Sequence, residues 1–271
     1  MTAAPETVTR TEVISLEPSA SLAALLDIGA PTDGLLPELW HWVHLLARPR
    51  ESQLAADGHP DSGIPAPPGP GRRRMFAGGR VTTLRRLRIG TEATLVSQVA
   101  STAEKRGRSG PLTFVTVRNE IRQGDELAVV DEQDIVYRAE GTQPLPAAAC
   151  ADAPIPARSH RLDLAVDERL LFRFSAVTFN AHRIHYDLGW ARHEGYGGLV
   201  IHGPLQALLM GEVARRNGVS LVGREFAYRL VAPLTQPQVV TAVTAESGIQ
   251  AGAQVFGSAG HLTATSTLMP A

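Results

Sequence analysis

The strongest hydrophobic pattern in the chain lies in GPLQALLMGEVARRNG (203–218), where Leu205, Leu208, Leu209 and Val213 recur on one helical face. Pro204 at the first helical position, Arg215 and Arg216 in the last turn and Gly218 just beyond mark both ends of that helix. A weaker helical stretch is predicted over 35–47, carrying Trp40, Val43 and Leu46. Elsewhere the period is two. Runs at 81–89, 92–100, 111–121 and 126–139 read as strands, as do 161–166, 170–179, 224–232, 238–246, 249–257 and 261–269. In 170–179 this reading sets Phe172 and Phe174 opposite Arg173 and Ser175.

Breakers divide the pattern. The loop GHPDSGIPAPPGPGRRR is too rich in Pro and Gly for a helix or an inner strand. In EGTQPLPAAACADAPIPARS (140–159) Pro and Ala crowd out both periodicities. The expected organisation is a domain over 1–140, a linker over 141–159 and a second domain over 160–271. A long apolar helix followed by a meander implies a curved antiparallel sheet wrapped around that helix, and the first half repeats the meander with a weaker helix. The fold class is therefore α+β, a tandem of two related units.

Composition narrows the function classes. At 271 residues and 44% hydrophobic the chain is ordinary globular material. Its 26 Lys and Arg against 27 Asp and Glu give no global argument for a nucleic-acid partner. Cys150, the single cysteine, allows neither an intrachain disulfide nor a thiolate cluster. No apolar run approaches the ~20 residues that cross a bilayer, and the first residues lack the pattern of a secretory signal, so a cytoplasmic protein without a membrane partner is expected.

Candidate chemistry concentrates in FNAHRIHYDLGWARHEGYGGLVIHGPL (179–205), which holds His182, His185, His193 and His202 with Asn180, Arg183 and Asp187 among them. His185 is the expected proton-transfer group, because imidazole titrates near neutrality. Asn180 can orient a water but cannot take its proton. Asp187 is placed to cap a short helix through Ala191. Pro204 lacks an N–H, so Gly203 is the natural donor at the helix start for a carbonyl oxygen gaining negative charge. The HRIH spacing, with no acidic third ligand in view, is a poor match to zinc, and neither metal nor cofactor is expected. No P-loop, Rossmann fingerprint or nucleophile elbow is present. Arg72, Arg73, Arg74, Arg80, Arg106 and Arg108 form a basic group suited to phosphates or a carboxylate, whereas Arg85, Arg86 and Arg88 read as a solvated face.

The stretch FSAVTFNAHRIHYDLGWARHEGYGGLVIHGPLQALL resembles the MaoC-like hydratase/dehydratase superfamily. It is most similar to the branch with mesaconyl-C4-CoA hydratases, itaconyl-CoA hydratases and type 2 hydroxyacyl-thioester dehydratases. LPELWHWVHLL, RRMFAGGRV, RSGPLTFVTVRNEI and DIVYR resemble that branch's N-terminal half. The resemblance implies a double hot-dog fold with a catalytic second unit and a first unit that shapes the acyl pocket. In the family pattern GD-x-N-P-x-H, His185, Asp187 and Ala191 match, while Asn180 stands at the catalytic Asp position, His182 at the Asn and Arg183 at the Pro.

What it implies is a hydro-lyase that adds water reversibly to an α,β-unsaturated acyl thioester, the favoured substrate being a branched C5 dicarboxylic acyl-CoA. His185, Asn180 and Gly203 would be catalytic, and His182, Arg183, His202, Arg74, Arg80 and Arg108 would bind substrate. The alternatives are a 3-hydroxyacyl dehydratase acting on an acyl carrier protein or CoA, a hot-dog thioesterase, and a non-catalytic acyl-CoA-binding subunit. Two fused units can act alone or pair again as a homodimer.

Overall fold

The computed structural model describes residues 7–65, 71–107, 110–139 and 154–271. Its strands are β1 (Thr7–Val13), β2 (Arg72–Thr83), β3 (Glu92–Gly107), β4 (Gly110–Gln123), β5 (Glu126–Ala139), β6 (Arg161–Val166), β7 (Arg224–Leu230), β8 (Gln238–Thr244), β9 (Ala253–Phe256) and β10 (Leu262–Pro270). The helices are α1 (Leu16–Leu25), α2 (Glu168–Val177), α3 (Leu188–His193) and α4 (Gly203–Arg216). Arg108, Cys150 and most of the 141–159 stretch lie outside the described residues.

One sheet runs in the order β1-β3-β4-β5-β2-β7-β10-β9-β8-β6. Read inward from each end it repeats itself: 1-3-4-5-2 from one side and 6-8-9-10-7 from the other, with a helix following the outer strand in both halves. This is a tandem of two hot-dog units. They join where β2 pairs antiparallel with β7, from Gly78 opposite Arg229 to Thr83 opposite Arg224.

The helix predicted from 203 forms as α4, and every residue from Leu205 to Ala214 is buried. It packs on β6, β8, β9 and β10 and reaches across to β2. Within this apolar surround Glu212 is 2% exposed, yet its carboxylate accepts from Trp40 Nε1 at 2.9 Å and pairs with Arg215 and Arg216. A buried charge so satisfied also ties the first half to the central helix of the second.

Two expectations need correction. The helix predicted over 35–47 is only a 3-10 turn at Trp40–Val43, because Leu39 and Leu45 adopt positive φ of 71° and 54° and interrupt it on both sides. Its apolar spacing reflects burial of Trp40 and Val43. The first-half helix is α1, whose Leu22, Ala23 and Leu25 are buried.

The strand predicted over 170–179 is the helix α2. Leu171, Phe174 and Ser175 form its buried face, at helical spacing, while Phe172 is 68% exposed. Asp167 caps it, Oδ1 accepting from Leu170 N at 3.0 Å. Smaller shifts also occur. β2 begins at Arg72, inside the expected loop, and ends at Thr83, so 84–89 is not strand.

Candidate active site

The turn after α2 aims the first site residue. Asn180 N donates to Ser175 O at 2.8 Å and Phe179 N to Ala176 O at 3.3 Å, which closes the helix as a Schellman motif. Glycine normally holds the left-handed position of that motif. Here Phe179 does, at φ 50°, a strain of about 1–2 kcal/mol that the surrounding structure holds in place. Asn180 Oδ1 then accepts from His182 N at 3.0 Å, so one lone pair of its amide belongs to the turn.

His185 follows on a 3-10 turn, Arg183–His185, anchored to the segment entering α4. Val200 N donates to Ile184 O, and His185 Nδ1 donates to Val200 O at 2.7 Å. A carbonyl only accepts, so Nδ1 carries the proton and Nε2 presents a lone pair. The His185 ring stacks on His202 with centroids 3.6 Å apart at 18°, and His202 Nε2 lies 2.9 Å from Ser175 Oγ. Burial, then the neighbouring His202 and His182, hold the His185 pKa well below its ordinary value. Burial likewise takes His202 down to about 3. Both rings are therefore neutral at pH 7.

Gly203 opens α4 beside them. Its N–H is among the first-turn donors that no helix satisfies. A Cβ there would sit 2.3 Å from Leu230 Cδ1 and 3.1 Å from Phe76 Cδ1, so the side-chain ends packed on the helix start would have to shift to admit one.

These groups face a cavity of about 1160 Å³ between the halves. Asn180, His182, His185, His202 and Gly203 line it from the second half. From the first, β4 and β5 contribute Leu112, Phe114, Ile135 and Val136 as an apolar wall. The volume accommodates an acyl chain with part of its carrier arm.

The four arginines expected to bind substrate separate by their partners. Arg80 donates twice to Glu132 and lies off the cavity wall. Arg183 donates to Asp187 Oδ2 and Ala56 O and stacks over Trp190, so it braces α3, which Asp187 caps as expected. Arg108 is outside the described residues. Arg74 lines the cavity from β2, and among the described residues its guanidinium has neither hydrogen bond nor ion pair. Its burial lowers the pKa from the ordinary arginine value, although arginine stays charged. Arg86, read as part of a solvated face, is instead 26% exposed and donates to Leu35 O and Leu36 O as well as pairing with Asp33.

Two site residues were not singled out in the sequence: Asp57 and His59, in the first-half loop. Gly58 lets this loop press against the catalytic turn, where an added Cβ would lie 1.9 Å from Ala181 O, and Arg183 N donates to Asp57 O at 2.9 Å. Asp57 accepts from His59 N and from His59 Nδ1, each at 2.9 Å. The His59 ring packs 4.0 Å from that of His182, whose Nε2 is 3.8 Å from Glu194 Oε1. Burial lowers the His59 pKa to about 4 despite Asp57. Burial would raise the Asp57 pKa, but the hydrogen bonds and charge of His59 outweigh it and hold the carboxyl far below its usual range. Asp57, His59 and His182 are close enough to share a metal ion, an acidic ligand that local spacing in the sequence does not show.

Residues 39–236 match the family model for hydroxyacyl-thioester dehydratase type 2. The chain belongs to this family. It is 49% identical over 226 residues to a mesaconyl-C(4)-CoA hydratase of Chloroflexus aurantiacus, covering 82% of this chain and 80% of that protein. Among solved structures it resembles HtdX of Mycobacterium tuberculosis, with TM-score 0.68 and 15% identity over 98% of this chain and all of that one. It also resembles a second M. tuberculosis protein described as having a double hotdog fold, with TM-score 0.52, 15% identity and 98% and 97% coverage. As a type 2 dehydratase family member the protein is a hydro-lyase of acyl thioesters. None of the described helices is long and apolar enough to cross a membrane.

Proposed function

We propose that the protein hydrates a dicarboxylic enoyl-CoA of the mesaconyl-C4 type, adding water across its double bond in a reversible reaction. The observation that carries this reading is Arg74, whose guanidinium on the wall of the cavity that holds His185 has no hydrogen bond or ion pair among the described residues. A half-buried cation that Asp57 influences only at a distance gains from a ligand that supplies a direct counter-charge, and a free carboxylate on the acyl group would do so as a bidentate pair. The likeness to the Chloroflexus hydratase supports the same substrate class.

Gly203 N–H would donate to the thioester oxygen as negative charge moves onto it. His185 Nε2 would take a proton from the water as its oxygen bonds to the β carbon, then return that proton to the α carbon. Asn180 and the stacked His202 hold the turn and ring in place. Mesaconyl-C4-CoA, itaconyl-CoA and crotonyl-CoA, incubated separately and analysed by mass, test the proposal. The dicarboxylic thioesters should gain water at least about tenfold faster than crotonyl-CoA. Equal rates with all three would contradict the role of Arg74.

A further inference from the structure

The amide of Asn180 cannot take a proton, and one of its acceptor lone pairs already serves His182 N–H. A water aligned for attack has two hydrogens to place, and the lone pair of His185 Nε2 receives only one. A second acceptor stands on the first-half loop that presses against the catalytic turn. His59 Nδ1 faces the Asp57 carboxylate at 2.9 Å, so Nδ1 bears the proton and Nε2 is a lone pair. No partner for Nε2 occurs among the described residues, and His59 lines the same cavity as His185, with the His182 ring packed against both.

The loop is built to hold this geometry. Its backbone is bonded to the catalytic turn through Asp57 O, Ala56 O meets the Arg183 side chain, and Gly58 seats on Ala181. Both oxygens of Asp57 are already engaged by His59, so the carboxylate is arranged as the partner of an imidazole and not as an open metal ligand.

We propose that His59, polarised by Asp57, is the second hydrogen-bond acceptor on the reacting water and hence a further catalytic residue of this site. The inference rests on the hydratase reading above. One hydrogen of the water faces His185 Nε2 and the other faces His59 Nε2. As the oxygen bonds to the β carbon, the O–H bond toward His185 breaks and the π pair moves onto the thioester oxygen. The pair then returns to form the C–H bond at the α carbon with the proton from His185. The second O–H stays on the product and is held by His59 throughout, so one water is added and both imidazoles end neutral. Asp57 acts through His59 as a positioning residue, fixing which nitrogen accepts.

The test is steady-state hydration of mesaconyl-C4-CoA and itaconyl-CoA by wild type, His59→Ala, His59→Gln, Asp57→Asn and, as a control, His185→Ala. Thermal midpoint and acyl-CoA binding are read for each. His59→Ala should lower kcat about tenfold or more, since one well-placed hydrogen bond to the transition state is lost, with KM and midpoint nearly unchanged. His59→Gln, whose amide oxygen can still accept, should recover part of the loss. In Asp57→Asn the new amide can donate to Nδ1 and turn Nε2 into a donor, so kcat should fall although the His59 ring remains. The proposal is overturned if the His59 variants keep wild-type kcat, or if kcat falls only in step with binding or midpoint. It is also overturned if chelator-treated wild type loses activity that Zn²⁺ or Mn²⁺ restores, which would make the cluster a metal site. A wild-type protein that hydrates neither substrate overturns both this role and the hydratase reading, whereas loss in His185→Ala alone overturns only the role of His59.

Discussion

His185 donates Nδ1–H to the carbonyl of Val200 at 2.7 Å, which leaves Nε2 as the basic nitrogen facing the cavity. Because burial and the neighbouring histidines depress its pKa from 6.5, the ring stays in its neutral, proton-accepting form at pH values where a free histidine is charged. The acid limb of kcat/KM should therefore lie well below pH 6.5 when activity is read on short exposure. A limb centred at 6.5 would show an unperturbed base.

Stability should begin to fall with acid at a higher pH than activity does. His202, His59 and His44 have folded-state pKa values of about 3, 4 and 4 against 6.5 unfolded, each lowered first by burial. Above pH 6.5 all are neutral in both states and contribute no pH dependence. Below it the unfolded chain takes up protons that the folded chain refuses, so unfolding free energy falls as pH drops toward the folded values. Each group contributes up to about 1.4 kcal/mol per pH unit within its window. Denaturant midpoints at several pH values should decline from about 6.5 downward. A midpoint constant to pH 4.5 would contradict the burial of neutral imidazoles.

Arg74 and Arg183 should separate in kinetics. Arg74→Gln should raise KM for dicarboxylic acyl-CoA by about tenfold or more while leaving crotonyl-CoA little changed, because a charged pair is lost with only one of them. Arg183→Gln should leave that preference intact and lower stability by about 1 kcal/mol through its contacts to Asp187 and Trp190. Substrate competition plus thermal melting distinguishes the two, and a preference that follows Arg183 instead would refute the assignment.

Much of the architecture is legible in the sequence because α4 carries every helix signal at once and most strands alternate. α2 is not, since FRFSAVTF alternates by chance over a span where the decisive signals are the Asp167 cap and the i, i+3, i+4 burial of Leu171, Phe174 and Ser175. The histidine cluster is legible because it is local. Asp57 and His59 join it only through tertiary contact from a loop whose Gly and Pro content reads as a mere breaker, although a His and an Asp flanking Gly58 are chemistry-bearing loop residues. The arginines show the reverse case. Residue type alone cannot tell Arg74, which has no hydrogen bond or ion pair among the described residues, from Arg80, which Glu132 already holds.

Gly203→Ala should cost about 1 kcal/mol of stability, since its methyl would push aside Leu230 and Phe76, and should displace the N–H proposed to face the thioester oxygen. kcat should fall by about 10²-fold while acyl-CoA still binds. Wild-type kcat in a correctly folded variant would remove Gly203 from the mechanism.

The most direct measurement is the mass of mesaconyl-C4-CoA incubated with wild type and with His185→Ala at equal concentration. The expected result is a gain of one water with wild type and a rate lower by about 10²–10⁴-fold in the variant, with acyl-CoA binding preserved. Water addition that survives His185→Ala, or thioester cleavage to free CoA in its place, would contradict the account.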